Sequence, residues 1–269
     1  MSTLRLATWN LLHGQPVADP TDSRGIRERL MAGARTLDSD VVAVQEVDCR
    51  SERSGGVCQV DAIAEAMNGQ GRFCAALRGV PGEHWIPAAG HLDDDIGPRY
   101  GIGLITRLPV IRWDSIALPA SAARLPLLVP TPSGARAIMV KDEPRWAIAA
   151  VIEGASGPFS AICTHLSFVP GVNLRQLRAL TAWARTLPGP RYLLGDLNLP
   201  RWVFTTQRTW RTLAPMATYP VGTPRIQFDH IAVERDTAVR VQDMDTLALP
   251  AGDHRALRAH IETDLNVSR

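Results

Sequence analysis

Long apolar runs are missing from this chain, and no stretch approaches the ~20 residues needed to span a bilayer. Met1-Ser2-Thr3 leads straight into a strand-like segment without the basic stretch and apolar core of a leader peptide, so no stable membrane association is expected. Cysteine is scarce. Cys49, Cys58, Cys74 and Cys163 form no Cys-x-x-Cys pair and are too few for a disulfide scaffold; they read as reduced thiols, and a cytoplasmic location is expected. Lysine is nearly absent, with Lys141 alone among 29 basic residues against 27 acidic ones. The net charge of +2 excludes the strongly basic footprint of a dedicated nucleic-acid binder and leaves room only for a local basic face. There is no long polar linker, no internal repeat, no aromatic-basic stripe for single strands and no apolar hairpin for lipid. The 269 residues read as one domain, 1–269, acting as a monomer.

What is present is a set of strand-like runs that end in polar groups of one chemical kind. Tyr192 to Leu194 is an apolar run, and Gly195 allows a sharp turn that delivers Asp196 and Asn198 beyond a sheet edge. Residues two apart on an extended segment share a face, so a carboxylate and a carboxamide lie side by side, a pair suited to a hydrated Mg²⁺ and a phosphate oxygen. Gly-Asp-x-Asn alone fits an Asx turn at least as well. Other runs end alike: Leu4–Trp9 in Asn10, Asp40–Gln45 in Glu46, Phe159–Thr164 in His165, and Ile226–Phe228 in Asp229-His230. Gly252-Asp253-His254-Arg255 opens the last strand.

Helical spacing predicts helices over Gly25–Leu37, capped by Asp22 or Ser23, over Val60–Met67, and over Leu174–Leu187, capped by Asn173 and stopped by Pro188-Gly189-Pro190. Val80–Pro98 reads as a long loop containing the acidic turn Asp93-Asp94-Asp95. Leu118–Gly134, with its four prolines, reads as a surface excursion between strands. Trp146–Ile152 and Phe159–Thr164 form a hairpin. Arg201–Leu213 is expected as short helix and loop, with Arg201, Arg208 and Arg211 as candidate flanks for an anion. Many strands and about three helices point to two packed sheets with the helices outside.

In chain order the motifs are Thr8-Trp9-Asn10, Gln45-Glu46-Val47, Tyr100–Arg107, Thr164-His165-Leu166-Ser167, Gly195-Asp196-Leu197-Asn198, Phe228-Asp229-His230-Ile231 and Gly252-Asp253-His254-Arg255. This order and spacing resembles the endonuclease/exonuclease/phosphatase superfamily, typified by deoxyribonuclease I and neutral sphingomyelinases, over essentially the whole chain. Thr164-His165-Leu166 is more similar to the deoxyribonuclease I, sphingomyelinase and phosphatase branches than to the exonuclease III branch. Deoxyribonuclease I pairs its equivalent of His165 with a glutamate near Tyr100, where this chain has Pro98 and Arg99.

The resemblance implies an α/β fold, a four-layer α/β/β/α sandwich of two packed, mainly antiparallel sheets, and Mg²⁺- or Mn²⁺-dependent hydrolysis of a phosphodiester by water. It makes Glu46 the principal metal ligand, with Asn10, Asp196, Asn198 and Asp253 completing the metal and phosphate shell. His254 would be the general base, oriented by Asp229, and His165 would stabilise phosphoryl charge or assist the leaving group. Those types suit the chemistry: hard oxygen ligands match Mg²⁺, a cation offsets the charge of a phosphodiester, and a carboxylate fixes and strengthens an imidazole base. The substrate would be a phosphoester, nucleic acid included. Alternative readings are a phosphatase on a phosphorylated small molecule or lipid headgroup, and a catalytically silent binding module.

Overall fold

The computed structural model describes residues 2–19, 22, 24–92, 96–119, 121, 124–131, 134–155 and 157–263. In chain order the elements are β1 (Ser2–Asn10), α1 (Ile26–Leu37), β2 (Val41–Cys49), α2 (Gln59–Met67), β3 (Gln70–Gly79), β4 (Trp85–Gly90) and β5 (Arg99–Thr106). Then come β6 (Val110–Ala117), β7 (Arg124–Thr131), β8 (Gly134–Lys141), β9 (Trp146–Gly154), β10 (Gly157–His165) and α3 (Val172–Ala184). The chain finishes with β11 (Arg191–Asp196), α4 (Arg201–Phe204), β12 (Trp210–Thr212), β13 (Asp229–Glu234), β14 (Val239–Leu247) and β15 (Ala256–Thr263).

Side-chain alternation explains the layering. Along β2, Val41 and Ala43 join the core between the sheets, while Val42 and Val44 face outwards onto Leu30, Ala34 and Leu37 of α1 and Ile63 and Met67 of α2. A strand buried on both faces has to read as a continuous apolar run, which is how Val41–Val44 reads. On the other side, Ala161 and Leu194 point into the central core, and Ile162 and Leu193 pack on Leu177, Leu180 and Ala184 of α3. The result is the expected α/β/β/α sandwich.

One sheet has seven strands in the order β14-β15-β1-β2-β5-β3-β4, the other six in the order β12-β13-β11-β10-β9-β6. Each contains one parallel pair, β1 with β2 and β10 with β11; the other neighbours are antiparallel. A parallel pair needs a crossover, and α1 and α3 supply the two.

Several expectations are corrected. The long loop 80–98 contains β4, an edge strand that tolerates Pro87 because one side of its backbone has no ladder to make. The proline-rich excursion includes β7, paired with β8 in a two-stranded ladder; each strand keeps a free edge, so Pro126 and Pro130 fit. Gly25, not Asp22, precedes α1: Glu28 reaches back to the Gly25 N–H at 3.3 Å, and Asp22 Oδ1 instead accepts from Arg24. Ser23 and the run Asp93-Asp94-Asp95 lie outside the described residues. Asn173 sits within the first turn of α3 instead of before it.

Candidate active site

Four of the candidate side chains stand at or near the carboxyl ends of the two parallel pairs. Asn10 ends β1, Glu46 lies three residues before the end of β2, His165 ends β10, and Asp196 ends β11. In the antiparallel neighbours the opposite ends meet them. Asp229 opens β13 directly across from Asp196, and Asp253-His254 precede β15, the partner of β1. One end of the sandwich therefore collects polar groups from both sheets.

Glu46 is placed by a bulge. Val44 pairs with Gly103 and Val47 with Gly101, so Gln45 and Glu46 together face one residue of β5, and Glu46 takes φ +55°. A non-glycine residue in that region stores about 1–3 kcal/mol of strain, which the surrounding ladder must hold. Gly195 has φ +150°, and a Cβ there would lie 2.0 Å from the Thr164 carbonyl oxygen. The bare backbone is what lets β11 turn against β10 before Asp196.

The Asx-turn reading of Gly-Asp-x-Asn and the functional reading turn out to be compatible. Asp196 Oδ1 accepts the Asn198 N–H at 2.9 Å, while Oδ2 faces the cluster and accepts from Asn10 Nδ2 at 3.2 Å. Asn10 Nδ2 also donates to Glu46 Oε1 at 3.0 Å, so one amide bridges a carboxylate from each sheet. Its Oδ1 is occupied by the Leu12 N–H at 3.1 Å. Asn198, at φ +46°, donates to the Leu166 carbonyl at 3.0 Å and lies 3.2 Å from His165 Nε2. Its own carbonyl accepts from Asn173 Nδ2 at 3.0 Å.

Asp229 and His254, 25 positions apart in sequence, meet at 2.7 Å between Oδ2 and Nδ1. The Thr218 hydroxyl donates to the same oxygen at 2.5 Å. Tyr219 and Phe228 pack against the imidazole with ring centroids 4.8 and 6.5 Å away. Asp196, Asp229 and His254 each present one atom within 4.8 Å of the others. Asp253 Oδ1 is 4.0 Å from His254 Nε2.

Burial and mutual repulsion set the charges. Burial raises Glu46 to about 7 despite the Asn10 hydrogen bond, with the Asp253 charge adding to it. Burial and then the Asp229 charge raise Asp196 to about 6. For His254 burial works against the cation, yet Asp229, Asp196 and Asp253 outweigh it and lift the imidazole to about 10. Burial, then the positive charges of Arg145 and His254, push His165 well below its ordinary value, so it is neutral.

Sequence reasoning missed Arg145, Glu143 and Thr218, took Asn173 only as a helix cap, and named Tyr100 only as the start of a strand motif. Arg145 is buried, with Nη2 3.6 Å from Glu143 Oε2 and 3.9 Å from Asp142 Oδ1, separations too long for hydrogen bonds. Its Nε, like Asp142 Oδ1 and Asp229 Oδ1, is buried without a hydrogen-bond partner. The signal was the order of the run: Lys141-Asp142-Glu143-Pro144-Arg145 leads directly into β9, beside the strand that ends in His165. Arg211, by contrast, donates to the Thr237 and Val239 carbonyls, while Arg201 stands exposed on α4.

The arrangement matches a known family. A model of the Endonuclease/Exonuclease/phosphatase family aligns with residues 7–254. Among curated proteins none matches the sequence. An endonuclease/exonuclease/phosphatase from Beutenbergia cavernae is 18% identical, with 98% of this chain and 72% of that one covered at a TM-score of 0.68. The mannosyl-6-phosphatase of Bacteroides thetaiotaomicron is 16% identical over 96% of this chain and 99% of that one, TM-score 0.64. The human Nocturnin catalytic domain, solved with a bound sulfate anion, is 17% identical over 97% and 94%, TM-score 0.61. These likenesses are of fold, and the family match carries the membership: the chain belongs to the endonuclease/exonuclease/phosphatase family.

Proposed function

We propose that the protein is a divalent-metal-dependent phosphoesterase that hydrolyses a phosphodiester by attack of water. The observation that supports it best is the convergence of Asn10, Glu46, His165, Asp196, Asp229 and His254 from two sheets onto one end of the sandwich. The donor set fits Mg²⁺ or Mn²⁺: it is made of carboxylate and amide oxygens, half-buried Glu46 and buried Asp196 both have raised proton affinity, and one buried oxygen of Asp229 has no partner. Glu46, Asp196 and Asp253 would hold the ion, with Asn10 and Asn198 fixing their orientation. A bound cation supplies positive charge against the carboxylates and the phosphoryl oxygens.

The remaining roles belong to the chain itself. Asp229 accepts the hydrogen bond from His254 Nδ1 and, with Asp196 and Asp253, holds the imidazole protonated; with that carboxylate charge offset by a bound cation, Nε2 would be the atom that can take a proton from water. Thr218 fixes the Asp229 oxygen that does this. Neutral His165, with Nε2 against the Asn198 amide, carries its proton on Nδ1; with Asn198 it forms an uncharged polar wall for a phosphoryl oxygen. Arg145, whose buried Nε is unbonded, is the cation of this chain best placed to meet the anionic ester.

Phosphodiester is favoured over monoester by a groove of about 450 Å³ lined by Pro200, Arg201, Trp202, Met216, Arg225 and Ile226. The β11–β13 ladder runs from Asp196 opposite Asp229 to the Leu197 N–H on the Phe228 carbonyl, so residues 200 and 225–227 continue past the cluster at the same end. Trp202 is 75% and Ile226 41% exposed, giving an apolar surface flanked by guanidinium groups for the second substituent of a diester. With a net charge of +2, a compact ester is preferred to long duplex DNA. The test is hydrolysis of bis(p-nitrophenyl) phosphate against p-nitrophenyl phosphate with Mg²⁺, Mn²⁺ or chelator. The diester should react faster and chelation should stop both; a faster monoester would replace this reading with a phosphatase, and full activity in chelator would remove the metal.

A further inference from the structure

Beyond Glu46, β2 runs on to a feature that hydrolysis does not use. Cys49, the last residue of β2, forms an antiparallel bridge with Cys58, the residue that caps α2. The Arg50 N–H donates to the Val57 carbonyl at 3.2 Å, joining the residues next to the two cysteines. The cysteines therefore occupy a non-hydrogen-bonded position, where Cα atoms approach to about 4.5 Å and side chains lie close. A disulfide spans Cα separations of about 4.4–6.8 Å, so the backbone need not move to accept one. The thiols are in contact at 2.6 Å. Cys74 and Cys163, in contrast, are buried in the core between the sheets.

The surroundings favour a reactive pair. The Cys58 hydrogen bond lowers the Cys49 thiol to about 7 against the effect of burial, helped by the charges of Arg99 and Arg50, while the same contact and burial push the Cys58 thiol up, so the pair shares one thiolate. Arg99 Nη2 lies 3.5 Å from Cys49 Sγ. Cys49 is 2% exposed and Cys58 only half-buried, so solvent meets the pair at Cys58. Between them runs a loop whose Gly55 and Gly56 have φ +70° and +71°. It carries Arg53, which donates from Nε and Nη2 to the two Asp48 oxygens, each at 2.8 Å, and lies over the Tyr100 ring at 5.8 Å.

We infer that Cys49 and Cys58 are a thiol–disulfide exchange site that takes a small-molecule disulfide as oxidant and closes the Arg53 loop with a covalent bond. Cys58, the sulfur that solvent reaches, passes its proton to the Cys49 thiolate 2.6 Å away and attacks one sulfur of the small disulfide, breaking its S–S bond and releasing one thiolate, which takes up that proton and leaves Cys49 as thiolate again. The Cys49 thiolate then attacks the Cys58 sulfur and expels the second thiol. Two protein thiols lose two electrons and two protons, and the small disulfide becomes two thiols. The new bond ties the strand that carries Glu46 to the start of α2, across a loop that packs on the rim of the cluster.

The experiment uses the folded full-length chain, incubated without denaturant with oxidised glutathione, quenched in acid, and measured by intact mass and a non-reducing tryptic map. Trypsin cuts after Arg50 and Arg53, so the Cys49 and Cys58 peptides stay together only through a disulfide. The expected result is a loss of about 2 Da, the two hydrogens removed, with the linked pair mapped to Cys49–Cys58 and reversed by dithiothreitol. Cys58→Ser should show no such loss. The inference is overturned if the folded protein keeps its mass while urea-unfolded protein reacts, if the bond maps to another pair, or if Cys58→Ser loses the same 2 Da.

Discussion

The two βαβ units of the sandwich, β1–α1–β2 and β10–α3–β11, place their polar groups by different means. In the second, His165 and Asp196 are register partners at the ends of an uninterrupted ladder. In the first, the ladder pairs Asn10 with Gln45, and Glu46 comes one residue later from a bulge with a left-handed backbone while β2 continues to Cys49. Even the closing hydrogen bonds correspond: Leu166 N–H to the Asp196 carbonyl, and Leu11 N–H to the Gln45 carbonyl, both at 3.0 Å. A ladder that simply stops fixes a side chain through pairing. A bulge re-aims one in mid-strand, at the cost of local strain.

The largest effect should come from removing the side chain that the bulge exists to present. Glu46→Gln is expected to lose at least roughly 10³-fold in turnover, because an anionic ligand and its electrostatic role disappear together, while the far-ultraviolet circular dichroism stays unchanged. Activity within tenfold of the parent would show that the second unit carries the site alone. Next is His254→Ala, which should cost roughly 10²–10⁴-fold by loss of general-base work; a rate left intact would end the assignment of the pair with Asp229.

Two glycines sharpen the comparison at the level of stability. Gly195 supports the end of β11, and Gly252, at φ +96°, supports β1, where a Cβ would lie 2.3 Å from the Asn10 carbonyl oxygen. Gly195→Ala and Gly252→Ala should each destabilise by about 2–4 kcal/mol in urea unfolding, combining backbone strain with overpacking against a neighbouring strand. If only one does, the two units are not supported alike. The smallest effect belongs to Thr218→Val, which deletes the hydroxyl that donates to Asp229. A loss of about 1 kcal/mol, some five-fold in kcat with KM unchanged, is expected; an unchanged kcat would make that hydrogen bond structural only.

What the sequence disclosed follows the same division. His165, Asp196 and Asp229 stand at regular strand ends, and an apolar run followed by a polar residue is a pattern visible in one dimension. The two-sheet layering was legible too, since Val41–Val44 and Tyr192–Leu194 can only be strands covered on both faces. The bulge at Glu46 left no local trace, because it depends on the register between β2 and Gly101–Gly103 of β5. Arg145 and Glu143 resemble any charged loop until the fold buries them. The cysteines read as isolated thiols because Cys49 and Cys58 are joined by a bridge between a strand end and a helix cap, not by a short motif. Proline misled at β7, where a two-stranded ladder leaves each strand an edge on which proline costs little.

The amide of Asn10, shared between Glu46 of one sheet and Asp196 of the other, makes occupancy of the cluster a thermodynamic variable of the whole fold. Burial holds both carboxyls above their ordinary range, at about 7 and about 6, so the stability they provide as protonated groups is lost as pH rises from the usual carboxylate range through those values. On the proposed function, an ion seated there would oppose that loss and, because only the fold assembles the cluster, would raise the unfolding free energy by RT ln(1 + [L]/Kd), about 2.7 kcal/mol at a hundredfold excess over Kd. The melting temperature thereby becomes a titration curve: divalent ions can be ranked, and their affinities read, before any ester has been found that the protein will cut.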